Sequence, residues 1–374
     1  MNKSNFSAPG RVEIGGNHTD HQHGRVLAAA IDLETKCSAT VNGTDTVNIT
    51  NEQYGSVCVD LTDLGVHENE KGTSAALIRG VAAWFKEHGY ATGGFDATVS
   101  SNIPAGSGLS SSAAFEVLIG NVFKGLFGAD ISPLEIAIAG QYAENNYFGK
   151  PCGLMDQAAS SFGGLCMIDF RDPNNTIVEP IKADLSGYAL CVVATGGDHA
   201  DLTPEYAAIP EEMKTVAKHF GKNHLREVEP DMFYSAISSL HHLSNRAVLR
   251  AHHFFGDHDR VKKQADALKR NDIPAFLDLV NESGRSSLAY LQNVFTSSDP
   301  HNQELTLALA LSEKILAGKG AWRVHGGGFA GTILAFVPDD LKDEYNIQMS
   351  NVFGENCCLF LNVVKSGQGT KKPL

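Results

Sequence analysis

The run IPAGSGLSSSAAFEVL, from Ile103 to Leu118, combines residue types that suit a phosphate group. Pro104 and the small residues Gly106, Ser107 and Gly108 lead into Leu109, then Ser110, Ser111 and Ser112, then the helix-forming run Ala113 to Leu118. A Gly-rich loop that opens a helix aims unpaired N–H groups and the positive end of the helix dipole at one place. A phosphate is stabilised there. The three hydroxyls can cap the helix or ligate a metal. No G-x-x-x-x-G-K-[ST] run is present, so this is not a Walker-type loop. The plain alternative is a flexible loop followed by a Ser-capped helix.

Three more segments carry reactive side chains. In Ala8 to Gly24, Arg11 stands near Asn17, His18, Thr19, Asp20 and His21. This mixture of donors and acceptors is what the hydroxyls of a sugar require. The competing reading places Zn²⁺ among His18, Asp20, His21 and His23, although the spacing is not the helical i, i+4 of a H-E-x-x-H site. In Ala143 to Gly164, Glu144 falls near a helix end, and Asp156 follows Gly153-Leu154-Met155 into a short helix. A carboxylate there can equally be a cap. In Val324 to Val337, Gly326, Gly327, Gly328 and Gly331 lie between two apolar strands, where bare backbone can approach a phosphate or sugar closely. The alternative is a hairpin turn.

The elements that must position these residues alternate between strand and helix. Arg25 to Val41 and Phe95 to Ser101 read as strands, the second delivering the chain into the phosphate loop. Thr73 precedes a helix with apolar residues at helical spacing, and Ser132-Pro133 begins another that runs to about Asn146. Strands follow at Leu165 to Phe170 and Tyr188 to Thr195. Helices are expected at Pro204–His219, Pro230–His253, Asp257–Lys269 and Gln303–Leu316. The chain closes with strand, Gly-rich turn and strand over Trp322–Val337, and a last strand near Cys358–Val364. The expected class is α+β, in two lobes divided at 1–185 and 186–374.

Composition narrows the functional class. The chain has 374 residues, is 43% hydrophobic and carries a formal net charge of −13. That balance argues against non-specific binding to nucleic acid or an anionic membrane, but not against a nucleotide in a small basic pocket. There is no apolar leader at the N-terminus and no run of transmembrane length. Seven cysteines without CxxC spacing support neither a disulfide framework nor a zinc site, and a cytoplasmic location is expected.

In this order and at these distances the segments resemble the galactokinase branch of the GHMP small-molecule kinases. That family's motifs G-R-V…G-E-H-x-D-Y, P-x-x-x-G-L-S-S-S-A-A, C-G-I-M-D-Q and G-G-G-F-G-G correspond to four segments here. They are Gly10-Arg11-Val12…Gly16-Asn17-His18-Thr19-Asp20-His21, Pro104…Gly108-Leu109-Ser110-Ser111-Ser112-Ala113-Ala114, Cys152-Gly153-Leu154-Met155-Asp156-Gln157 and Gly326-Gly327-Gly328-Phe329-Ala330-Gly331. The resemblance implies a lobe like ribosomal S5 domain 2, a ferredoxin-like second lobe and an active site in the cleft. It implies Asp156 as the catalytic carboxylate, with Arg11 orienting it and stabilising charge on the phosphoryl group. Ser112 and Glu144 match Mg²⁺ ligands, and Gly106 to Ser112 would wrap the phosphates of ATP. Asn17, His18, Asp20, Gly153 and Tyr206 match positions that contact the sugar.

The resemblance therefore implies ATP-dependent phosphorylation of galactose at the anomeric hydroxyl, by a monomer or weak homodimer. Where the family has Glu, expected to reach the C6 hydroxyl, this chain has Asn17, followed by a Asp20-His21-Gln22 run similar to galacturonate kinases. Asn there would remove repulsion against a C6 carboxylate, so galacturonate is the alternative substrate. A non-catalytic galactose sensor is the alternative of another class. Such regulators can lose residues of the Ser-Ala stretch, whereas Ser110 to Ala114, Arg11 and Asp156 all stand here.

Overall fold

The computed structural model describes residues 3–51, 55–104, 107–150, 152–172, 175–196, 202–329 and 331–364. Gly106 and Ala330, singled out above, lie outside them. The chain divides into two compact units, one within Met1–Arg11, Ala29–Gly164 and Val363–Leu374, the other within Val12–Ala28 and Leu165–Asn362. The expected division after residue 185 is not the one the contacts draw. Strands β1 (Ser4–Gly15) and β2 (Arg25–Val41) each pass from one unit to the other in mid-strand. Beyond Gly164, Asp169 pairs with Arg25 at 2.8 Å and Arg226 at 3.1 Å, so that stretch belongs with the second unit.

In the first unit, β3 (Thr46–Asn51), β4 (Gly55–Asp60) and β5 (Phe95–Ser101) join β2 in the order β4-β3-β5-β2. Strand β5 alternates: Phe95, Ala97 and Val99 are buried, and Asp96, Thr98 and Ser100 are exposed. That period of two turns one face of the sheet toward helices α1 (Ser74–Glu87), α2 (Ser111–Phe127) and α3 (Pro133–Ala143). Phe123 of α2 lies 5.5 Å from Phe85 and 5.6 Å from Phe95, ring to ring, at the centre of this core. Ser132 and Glu135 form a capping box at the start of α3, with Pro133 in its first turn. At its other end α3 widens into a π-helical turn, Glu144–Phe148, closed by Gly149 at φ +86°. Helix α4 (Met155–Phe162) follows.

The second unit contains the hairpin β6 (Leu165–Asp169) and β7 (Ile177–Ile181). Its own sheet is built from β8 (Tyr188–Ala194), β9 (Ala321–Val324), β10 (Thr332–Pro338) and β11 (Cys358–Leu361), in the order β11-β8-β10-β9. Renumbered within the unit this is 4-1-3-2, all antiparallel, with helices between first and second and between third and fourth strands. That is the ferredoxin-like arrangement. Its helices are α5 (Thr203–His219), α6 (Pro230–Ala236), α7 (Asn245–Lys269), α8 (Ile273–Ser286), α9 (Glu304–Leu316) and α10 (Lys342–Phe353).

One helical expectation is corrected. Pro230–His253 is not continuous: α6 passes into a 3-10 turn at Ile237–His242, and α7 begins afresh at Asn245. Ser244 is the cause, because its hydroxyl accepts from the N–H of Ala247 at 3.1 Å and starts the new helix. Helix α7 then runs through His253 to Lys269 without the break expected before Asp257.

Candidate active site

In the first unit, Arg11 ends the β1 segment and is nearly buried, at 7% exposure. Its Nε and Nη2 donate to the two carboxylate oxygens of Asp156, at 2.6 and 2.7 Å, and its Nη1 donates to the carbonyl of Gly108. This planar two-point pairing fixes the carboxylate's orientation. The Arg11 N–H also donates to the carbonyl of Leu109 at 3.2 Å, so the loop is tied to β1 twice. Ser110 donates its hydroxyl to Asp156. Partial burial raises the Asp156 carboxyl, but the Arg11 charge, the Arg11 N–H bonds and Ser110 outweigh it and hold the group below its ordinary value.

The serines of the loop divide their work. Ser107 closes a turn by donating its hydroxyl to Pro104 O at 2.7 Å. Ser110 occupies the N-cap of α2 at φ +57°, yet its side chain makes no cap bond because it is turned to Asp156. The first turn of α2 therefore carries no side-chain cap, which leaves the backbone N–H groups of an anion site open. Ser112 donates to Glu144 Oε1 at 3.3 Å, and Lys150 Nζ lies 3.3 Å from the same oxygen. Gly153 precedes α4 beside Cys152, whose N–H donates to Asn145 Oδ1 at 2.7 Å.

Mg²⁺ can be tested against these donors. Ser112 Oγ and the Glu144 carboxylate are hard oxygens within hydrogen-bond reach of one another, and no group of three or more metal-ligating side chains occurs among the described residues. Two protein oxygens fit a cation held mostly by phosphates and water. Ser111 and Ser112 also line a cavity of about 290 Å³ within the first unit. Ile49, Val57, Leu77, Val99, Ile103, Phe115 and Phe148 give it apolar walls, and Thr35, Asn51, Ser56, Ser74 and Ser101 give it hydroxyl and amide edges. No local spacing signals it, because its walls come from six separate stretches of chain.

In the second unit the Asn17–Asp20 loop meets the Gly-rich turn after β9. Gly326 O accepts from Asn17 Nδ2 at 2.7 Å, Gly327 O from the His18 ring at 2.9 Å, and Gly328 O from the Tyr206 hydroxyl at 2.8 Å. The bare backbone was expected to admit a phosphate or sugar. It admits protein: a Cβ at Gly327 would stand 2.4 Å from the Tyr206 ring, and one at Gly328 2.0 Å from Asn293 O.

Asn17 departs from its expected role. It is 0% exposed; its Nδ2 also donates to Glu13 Oε1 at 3.0 Å, and its Oδ1 accepts from Asn293 at 2.8 Å and Ser287 at 3.2 Å. An amide has two donors and two acceptor positions, and all four are spent on protein. Its backbone is held as well, the N–H by Asp257 at 2.8 Å and the C=O by His253 at 2.9 Å. Arg323 completes the support by donating to Glu13 at 2.7 Å. Sequence reasoning missed Glu13, His253, Asp257, Asn293 and Arg323. A buried ionic network leaves no local spacing, and these residues lie up to 310 positions apart.

His18 keeps one ring nitrogen without a protein partner. Burial, with the nearby His21, pushes its ring down to about 3, so it is neutral. With Nε2 donating to Gly327 O, its buried Nδ1 is an acceptor that no protein donor meets. Asp20 lies alongside, with His21 Nε2 at 3.8 Å. The three histidines do not converge on a metal, since His23 instead stacks on His224 at 3.6 Å. Burial pushes the Tyr206 phenol up to about 12, which keeps the proton on its own oxygen and donated to Gly328 O.

Two family models match parts of the chain. Residues 76–164 match the GHMP kinases N terminal domain, and residues 2–40 match the galactokinase galactose-binding signature. The chain has the GHMP kinase fold, and one stretch of it matches the model of that family's N-terminal domain. It is similar to Lactococcus lactis galactokinase complexed with galactose, at 24% identity and a TM-score of 0.85, over 100% of this chain and 96% of that one. It is also similar to Methanococcus jannaschii mevalonate kinase, at 16% identity and a TM-score of 0.69, over 97% and 99%. GHMP kinases therefore supply the α+β frame expected from the motifs. No described helix of the chain is long and apolar enough to cross a membrane.

Proposed function

We propose that this GHMP kinase transfers the γ-phosphoryl group of ATP to the anomeric hydroxyl of galactose. The observation that carries the reading is the Arg11–Asp156 pair beside the uncapped N-terminus of α2. Phosphoryl transfer depends mainly on positioning and charge neutralisation. The cavity lined by Ser111 and Ser112 would take the nucleoside, its apolar walls facing the base, and the first turn of α2 would receive the phosphates. Ser112 and Glu144 would hold Mg²⁺, whose charge would offset that of the phosphate oxygens when bound.

Asp156 would accept the hydrogen bond of the sugar hydroxyl and receive its proton as transfer proceeds. A carboxyl held low by Arg11 is a weak base, so its larger effect is to orient the hydroxyl. Arg11 keeps that carboxylate in place and adds positive charge near the transferred group. On the sugar side, the match at residues 2–40 supports galactose, with His18 Nδ1 and the Asp20 carboxylate as acceptors for its hydroxyls. Asn17 has no remaining hydrogen-bond capacity, so it does not favour a C6 carboxylate over a hydroxymethyl. Galacturonate therefore gains nothing at Asn17 over galactose.

An ATP-consumption assay against galactose, N-acetylgalactosamine, arabinose, glucuronate and galacturonate tests the reading. Galactose should give the highest kcat/KM, and a higher value with galacturonate would reverse the assignment.

A further inference from the structure

Glu116 is wholly buried, at 0% exposure, one helical turn after Ser112 on the same face of α2. Its Oε2 accepts from Gln157 Nε2 at 2.9 Å, and the same nitrogen donates to Glu144 Oε2, also at 2.9 Å. Glu144 Oε1 in turn accepts from Ser112. Four side chains thus close a ring from α2 through the π-helical turn and α4 back to α2. Gly140 of α3 makes room for it: a Cβ there would stand 3.1 Å from Glu116 Cβ, Glu116 Oε2 and Gln157 Cγ.

We propose that Glu116 and Gln157 are positioning residues for Glu144, fixing the rotamer in which its Oε1 is presented beside Ser112. This rests on the reading of Ser112 and Glu144 as ligands of the nucleotide-bound cation. Gln157 donates to the inner oxygen of Glu144, and the same nitrogen is held by Glu116 Oε2 and, at 3.7 Å, by the Cys152 sulfur. Burial and the charge of Glu144 push the Glu116 carboxyl well up, so a neutral acceptor suffices at this position. Gln157 directly follows Asp156, so the ring also ties the cation's carboxylate to the helix that carries the proton acceptor.

The test is Mn²⁺ affinity, read by electron paramagnetic resonance with a non-hydrolysable ATP analogue bound, alongside affinity for the metal-free analogue. Outer-sphere partners of a metal ligand are typically worth about 10–100-fold in affinity. Glu116→Met and Gln157→Met should each weaken Mn²⁺ binding within that range while leaving metal-free nucleotide binding unchanged. Glu116→Gln, which keeps the acceptor oxygen, should bind Mn²⁺ as wild type does. The Glu116→Met/Gln157→Met pair should be no weaker than the weaker single variant. Gly140→Ala, which removes no polar group, should weaken Mn²⁺ binding in the same direction and covers the case in which Glu116→Met does not fold. Wild-type affinity in Gln157→Met, or equal losses in Glu116→Gln and Glu116→Met, would overturn the inference. Wild-type affinity in Glu144→Ala would remove the ligand assignment itself, and the inference with it.

Discussion

At the scale of single residues, one carboxylate, Asp156, is central to the proposed chemistry. Arg11 and Ser110 orient Asp156 and lower its proton affinity. Because its folded-state value is depressed, Asp156 remains ionised through the mildly acidic range, and activity should fall only when pH drops through that lowered value. Arg11→Met removes the cation, so the acid limb of the kcat/KM profile should move upward in pH. kcat should fall as for loss of one preorganised electrostatic group, by about 2.7–4 kcal/mol. A pH profile recorded on both proteins checks this, and coincident acid limbs would detach Arg11 from Asp156. Asn17 leads to a different expectation. Asn17→Ala strands the Asn293 amide N–H and loosens Glu13, at about 1–3 kcal/mol for each buried group left unpaired. Thermal unfolding should show that loss while the preference between galactose and galacturonate stays put. Arg11 and Asp156 were legible because the chemistry of a charged pair is written in residue type and motif. The burial of Asn17 was not, because its partners Ser287, Asn293 and Gly326 are about 270 to 309 positions away.

At the scale of elements, local chemistry sets some boundaries and tertiary contacts set others. Strands β2 and β5 and the start of α3 were legible: alternation, β-branched residues and a Ser-Pro cap speak for themselves. Helix α8 passed unread although Asp272 caps it by accepting from Ala275 N–H at 3.2 Å. The restart at Ser244 lay hidden among helix-forming neighbours on both sides. Ser244→Ala should lower stability by about 1 kcal/mol in a urea titration and leave kcat unchanged. The Gly-rich turn after β9 behaves oppositely. Gly327→Ala drives a methyl group into the Tyr206 ring and breaks its bond to Gly328 O. KM for the sugar should rise while KM for ATP holds. A rise in KM for ATP alone would place this turn on the nucleotide side.

At the scale of the whole molecule, the α+β class and a pair of units follow from the order of strands and helices, but the 4-1-3-2 pairing of the second unit does not. Its first strand precedes its partner β10 by well over a hundred residues, and nothing local encodes that pairing. The same distance explains why the division after residue 185 missed its mark: β1 and β2 lend residues 12–28 to the second unit. A net charge of −13 is compatible with the proposed nucleotide site, because the cations Arg11 and Lys150 stand at the Gly108–Ser112 loop and at Glu144. The central claim is that Asp156 supports phosphoryl transfer to the anomeric oxygen of galactose. The most direct test is phosphorus NMR of the product formed from ATP, Mg²⁺ and galactose by wild-type protein and by Asp156→Asn. Wild type should yield a sugar 1-phosphate, and the variant should lower the rate roughly 10²–10⁴-fold with ATP affinity retained. Phosphate on another oxygen, or equal rates from the two proteins, would contradict it.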